Sequence, residues 1–132
     1  MLAPRYQLVR DGIILAMKSV LIVDDHDGFR SWLRRFVDDL GAAVVGEART
    51  GNEALELMKL LRPEVVLLDI QLPDGTGFDV AQASASLDEA PEIVFISTRP
   101  ASSYGRDLGA SVFVAKADIS RSTLSIPLGL GE

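Results

Sequence analysis

The chain has no cysteine among its 132 residues and a single histidine, His26. That excludes a disulfide scaffold, a thiol nucleophile and any cysteine-ligated metal, and it leaves no multi-histidine zinc site. A cysteine-free chain fits a reducing compartment such as the cytoplasm. Positive charge is scarce: 13 Lys and Arg stand against 19 Asp and Glu, for a net charge of −6. With no basic run, the chain lacks the clustered cations that hold a phosphate backbone, so direct nucleic-acid binding is not expected. No apolar run approaches the roughly 20 residues that span a bilayer, so no membrane partner is expected either. Gly12–Met17 is briefly apolar, but Lys18 cuts it short and no small-residue cleavage site is well placed, so it reads poorly as a signal core. There is no G-x-G-x-x-G or Walker loop, which leaves a nucleotide-binding or small-hydrolase reading with little support.

What is present can fill a core. The hydrophobic fraction is 48% and the charged fraction 24%, in a length that suits one domain. Residues 1–16 read as an N-terminal extension, either weakly ordered or the product of an upstream start. Residues 17–126 read as the domain, and 127–132 as a C-terminal tail. Val20–Val23 is a compact β-branched run of the kind buried on both faces of a parallel sheet. Phe29, Trp32, Leu33, Phe36, Val37 and Leu40 recur at helical spacing and predict a helix closed by Gly41, with Trp32 in its core face. Ala43–Val45 predicts a second strand, and Asn52 an N-cap for a helix running to Leu61, stopped by Arg62-Pro63. Val65–Leu68, Ile93–Ile96 and Val112–Ala115 are three more strands, with a helix from Phe78 to about Leu87 between the first two. Arg99–Leu108, carrying Pro100, two serines and Gly105, predicts a short or irregular helix. A last helix is expected over Asp118–Ser125. Strands alternating with helices at this rhythm give right-handed βαβ crossovers, hence a doubly wound five-stranded parallel sheet of α/β class.

In such a sheet, ligands bind beyond the carboxyl ends of the strands. Asp24 and Asp25 follow the first strand, Asp69 the third, Ser97 and Thr98 the fourth, and Lys116 the fifth. Each has a bland reading. A lone Asp after a strand caps a turn or helix, a lone hydroxyl caps backbone, and a lone lysine is solvated. His26 reads as a solvated helix-start residue and Phe113 as an ordinary strand aromatic. Asp74–Thr76 echoes a haloacid-dehalogenase loop, but no strand precedes it and no second Asp is properly spaced. The combination at successive strand ends is what carries weight. Three carboxylates together call for a cation, and a hard divalent ion such as Mg²⁺ suits oxygen ligands. A strand-end carboxylate can attack phosphorus to form an aspartyl phosphate.

The motifs VLIVDDHDGFR, VVLLDIQLPDGTGFD, IVFIST and GASVFVAK stand in order along Lys18 to Leu124. In this the sequence resembles the receiver domains of two-component response regulators, with a pattern most similar to the NarL/LuxR-type receivers. The resemblance implies the CheY-like strand order 2-1-3-4-5 and an Mg²⁺-dependent phosphoacceptor, Asp69. It implies that Asp25 and Asp69 ligate the metal directly, Asp24 through water, and Gln71 through its backbone carbonyl. It also implies Lys116 as the phosphate-pairing lysine, Ser97 (or its neighbour Thr98) as the switch hydroxyl, and Phe113 as the switch aromatic. The partners implied are a sensor histidine kinase and an output protein, with room for a homodimer, all in the cytoplasm. Two departures stand out: Ala117 replaces the usual proline after the lysine, and the segment after the fourth strand is shorter than in chemotaxis-type regulators. A degenerate receiver acting as a constitutive interaction module, and a fragment of a truncated DNA-binding regulator, are the competing expectations.

Overall fold

The computed structural model describes residues 5–8, 14–109 and 111–130. Five strands form one parallel sheet: β1 Ser19–Val23, β2 Ala43–Ala48, β3 Val65–Asp69, β4 Glu92–Ser97 and β5 Val112–Ala115. Their spatial order is β2-β1-β3-β4-β5, the expected one. Helices α1 Asp27–Asp39, α2 Gly51–Leu61, α3 Gly77–Ser84 and the single turn α4 Arg121–Leu124 accompany them. Among the described residues, no helix is long and apolar enough to cross a membrane.

The sheet has two buried faces because its strands alternate two apolar sets. Val20, Ile22, Val65, Leu67, Val94, Ile96 and Val114 face one way, against Leu33 and Val37 of α1 and Leu124 and Leu128 near the C-terminus. Leu21, Val23, Val66, Leu68 and Phe95 face the other, against Ala54 and Met58 of α2 and Val80 of α3. A strand buried on both sides cannot alternate apolar with polar, which is why these segments read as unbroken apolar runs.

Side-chain caps set the helix starts. His26 Nδ1 accepts the Phe29 N–H at 3.1 Å and opens α1, while His26 itself stays exposed. Gly41, at φ 97°, follows the last turn of that helix, a backbone setting that favours glycine. Thr50, not Asn52, caps α2: its hydroxyl accepts the Glu53 N–H at 3.1 Å. Two further donors at that helix start, the N–H groups of Gly51 and Asn52, are taken by the Asp74 carboxylate at 2.8 and 2.9 Å. These bonds hold the Asp74 carboxyl below the usual carboxylate range and tie the loop after β3 to α2.

Several boundaries differ from the sequence reading. β2 runs on to Ala48 because Gly46 stays in the ladder, opposite Leu21. α3 ends at Ser84, three residues early, where the serine hydroxyl turns back to the Ala81 carbonyl. The last helix is one turn of α4 after a 3₁₀ turn, Lys116–Asp118. The irregular segment after β4 comprises two 3₁₀ turns, Ala101–Ser103 and Gly105–Asp107. Trp32 is a correction: it is 42% exposed, outside the core. The helical stripe is wider than the face α1 buries, so Leu33 and Val37 go inward while Trp32 stacks on Phe36 at 5.1 Å between ring centroids. Ahead of β1, Arg5–Leu8 and Ile14–Met17 pair as an antiparallel ribbon. The remainder of the extension expected over 1–16 lies outside the described residues.

Gly77 shows why the loop after β3 ends in glycine. A Cβ there would sit 2.5 Å from the Asp69 carbonyl oxygen and 3.0 Å from Ile70 Cα, both backbone atoms that cannot swing aside. Gly77→Ala is therefore expected to push on the end of β3 and to destabilise the domain by about 1–3 kcal/mol. Thermal or urea unfolding of the variant beside the parent chain measures this, and equal stability would contradict it.

Candidate functional site

Strand register brings the acidic residues together. Val23 of β1 lies opposite Leu68 of β3, so the residues that follow, Asp24 and Asp69, emerge side by side at the carboxyl edge. Ser97 of β4 lies opposite Ala115 of β5, which places Lys116 one residue beyond. Oxygens of Asp24, Asp25 and Asp69 all lie within 4.8 Å of one another. Asp24 and Asp69 are buried, at 0% and 6% exposure, while Asp25 faces solvent.

Lys116 bridges the buried pair. Its Nζ stands 2.6 Å from Asp24 Oδ2 and 3.2 Å from Asp69 Oδ2. Asp24 Oδ2, fully buried, thus has the Lys116 ammonium as its close partner, in the shorter of the two contacts. The other oxygens are engaged: Asp24 Oδ1 accepts the His26 N–H at 2.8 Å, and Asp69 Oδ1 the Gln71 N–H at 3.2 Å. Lys116 Nζ also lies 4.3 Å above the Phe29 ring, a cation–π contact that fixes the ammonium from a third side.

These contacts shift both charges. Burial pushes the Asp69 carboxyl up to about 6; the Lys116 ammonium works against that shift and the Asp24 carboxylate adds to it. Burial alone would lower the Lys116 ammonium, but the Asp24 and Asp69 carboxylates hold it above its ordinary value. Two buried carboxylates that share one ammonium, with a third carboxylate beside them, leave negative charge for another cation. Three oxygen-bearing acids with one solvent-facing member fit a hard divalent ion, which takes carboxylates and waters. The residues present therefore fit Mg²⁺.

The switch candidates separate on burial. Ser97, the last residue of β4, is 1% exposed, whereas Thr98 faces solvent. Ser97 Oγ accepts the Arg99 N–H at 3.1 Å and lies 2.5 Å from the Tyr104 hydroxyl. Phe113 is half-buried on β5 and packs at 6.1 Å from the Tyr104 ring. Gln71 lies in the loop after Asp69, paired with Thr76 across a small two-stranded ladder.

Two residues near the site escaped the sequence reading. Arg30 Nη1 donates to the Asp24 carbonyl at 2.8 Å while its other nitrogens hold Glu47 and Asp27, fastening the acidic turn to α1 and β2. An arginine in a first helical turn carries no sequence sign of that task. Tyr104 sits in a segment rich in turn formers, where a single aromatic could have been noticed as the one large side chain with a polar tip.

Comparison with known proteins adds the family. The model of the response regulator receiver domain matches residues 20–124. The transcriptional regulatory protein PdtaR of Mycobacterium tuberculosis is 36% identical over 101 residues, covering 75% of this chain and 49% of that protein. The chemotaxis protein CheY of Thermotoga maritima is 38% identical over 80 residues, covering 61% of this chain and 67% of that one. Among solved structures, the signal receiver domain of the response regulator NarL from Mycobacterium tuberculosis superposes with a TM-score of 0.72 at 31% identity, covering 86% of this chain and 98% of that one. The chain thus spans about half the length of PdtaR. By family model, sheet order and acidic edge alike, it belongs to the receiver domains of two-component response regulators.

Proposed function

We propose that Asp69 accepts a phosphoryl group from a phosphohistidine of a sensor histidine kinase, with Mg²⁺ as cofactor, and that the new charge reshapes the β4–β5 end of the domain for an output partner. The observation that carries this is the meeting of Asp24, Asp25 and Asp69 oxygens within 4.8 Å, spanned by Lys116. Asp25 and Asp69 would hold the metal directly, Asp24 through water, and Gln71 through its backbone carbonyl. When bound, Mg²⁺ neutralises these carboxylates and draws charge from the phosphoryl oxygens during transfer.

This chain's own residues do the rest. A carboxylate oxygen of Asp69 forms the bond to phosphorus as the phosphorus–nitrogen bond of the donor breaks, and the imidazole leaves with that electron pair. Lys116 turns part of its charge from Asp69 to a phosphoryl oxygen. Ser97 donates a hydrogen bond from its hydroxyl to another phosphoryl oxygen, and Phe113 repacks as Ser97 moves. Attack of water on the acyl phosphate later releases inorganic phosphate and restores the carboxylate. The domain promotes its own phosphorylation and dephosphorylation and acts on no separate substrate. The setting is the cytoplasm, with the kinase as phosphodonor and an output protein or a second copy as recipient of the signal. A constitutive, degenerate module is disfavoured, because the acids, the lysine and the serine all stand at one edge.

Incubation with acetyl phosphate and Mg²⁺ is expected to add one phosphoryl group, seen by intact mass. Asp69→Asn or chelation should abolish the gain. A gain that persists in Asp69→Asn would overturn the assignment.

Charge crowding yields a second prediction. The Asp69 carboxyl titrates near 6 in the fold and near 3.8 in the unfolded chain. Folded Asp69 therefore takes a proton first as pH falls, so its ionised form costs stability above about pH 6 and that cost vanishes toward pH 4. Without metal, Asp69→Asn should stabilise the domain at pH 7.5 by on the order of 1–2 kcal/mol, a gain that shrinks at pH 5. Chemical denaturation in chelator at the two pH values reads this, and a destabilised Asn variant at pH 7.5 would refute it.

A further inference from the structure

Ser97 is buried, and its hydroxyl is engaged by partners within the protein. Its oxygen accepts the Arg99 N–H and lies 2.5 Å from the Tyr104 hydroxyl. Tyr104 arises from the connection between β4 and β5, between the 3₁₀ turns Ala101–Ser103 and Gly105–Asp107. Its ring packs edge-on against Phe78 at 5.7 Å and against Phe113 at 6.1 Å. One residue therefore touches the buried serine of β4, an aromatic of α3 and the half-buried aromatic of β5. Phe113 has no polar atom to offer Ser97, so the phenol of Tyr104 is the group placed to respond when that serine changes partner.

A serine hydroxyl has one proton. If it is shared with Tyr104, it is withheld from an oxygen at Asp69, and drawing it there breaks the pairing. We propose that Tyr104 is a positioning residue that latches Ser97 in the unphosphorylated state, and that release of this latch carries the signal into residues 99–109. The proposal rests on the reading of Asp69 as phosphoacceptor and Ser97 as switch hydroxyl. It assigns the moving polar contact to the β4–β5 connection, with Phe113 following as packing.

The connection is built to move cheaply. Neither 3₁₀ turn contains a buried residue, and Leu108 just beyond them is the segment's anchor in the core. Tyr104 is held there by single-turn bonds, its N–H to the Ala101 carbonyl at 3.0 Å and its carbonyl from the Asp107 N–H at 3.1 Å. Segments with few buried contacts open at low free energy. Loss of one side-chain contact at Ser97 is then enough to shift the population of the whole connection. The surface so changed follows directly on the end of β4, where Ser97 stands.

Tyr104→Phe tests this, since it removes the hydroxyl and keeps the ring. Beryllofluoride with Mg²⁺ serves as the phosphoryl mimic, and its affinity is measured by calorimetry beside that for Mg²⁺ alone. Freed from the latch, the variant is expected to bind beryllofluoride about three- to tenfold more tightly, the range for one net hydrogen bond, with Mg²⁺ affinity unchanged. Amide exchange over residues 99–109 should rise in the parent chain on adding beryllofluoride and be raised in the variant beforehand. Equal or weaker beryllofluoride affinity in Tyr104→Phe, with the parent binding normally, overturns the latch alone. Should the parent chain itself fail to bind beryllofluoride with Mg²⁺, the phosphoacceptor reading falls and takes the latch with it.

Discussion

Lys116 spans two buried carboxylates, and the carboxyl edge of the sheet is organised by that contact. Its Nζ reaches Asp24 at 2.6 Å and Asp69 at 3.2 Å from the end of β5, while the two acids arrive from β1 and β3. Unit charges about 4 Å apart interact by roughly 4 kcal/mol at an effective dielectric near 20, so this arrangement cannot be indifferent to its own balance. With Asp25 alongside, one ammonium leaves two negative charges uncompensated, the charge of a single divalent ion. The upward shift of Asp69, to which the Asp24 carboxylate contributes, registers that deficit.

The fold serves this balance by supplying a rigid frame. Both faces of the sheet are packed, one by α1 and the C-terminal turn, the other by α2 and α3, so the strand ends cannot drift apart to relieve repulsion. Gly77 admits the loop to the back of Asp69, Asp74 ties it to α2, and Arg30 fastens the turn that carries Asp24. What remains adjustable is the short connection after β4, whose two 3₁₀ turns bury none of their own residues. Rigidity at the acids and looseness beside Ser97 are the division of labour that a charge-driven switch requires.

The sheet was legible in the sequence because buried parallel strands leave an uninterrupted apolar signature, and the strand ends then named Asp24, Asp25, Asp69, Ser97 and Lys116 directly. Their convergence is a consequence of register, which runs of Val, Leu and Ile fix reliably. The difference in burial between Ser97 and Thr98 needed the strand's pleat: Phe95 and Ser97 point to the same face of β4, and the next residue leaves the sheet. Trp32 was misplaced because helical spacing predicts a stripe and says nothing of how much of it the sheet covers. Asn52 lost the capping role to Thr50 since both are good caps two residues apart, and the tertiary bond from Asp74 favours starting the helix earlier. The pairing of Tyr104 was not legible for a different reason: its partner lies seven residues upstream across an irregular turn, where no periodicity links the two.

The central claim is that Asp24, Asp25 and Asp69 share one divalent ion within reach of Lys116. Calorimetric titration of the full chain with Mg²⁺, repeated for Asp25→Asn, measures it most directly. One ion per chain is expected, with at least about tenfold weaker binding in the variant, the scale of a lost metal-site contact. Binding unaffected by Asp25→Asn, or none in the parent chain, would contradict it.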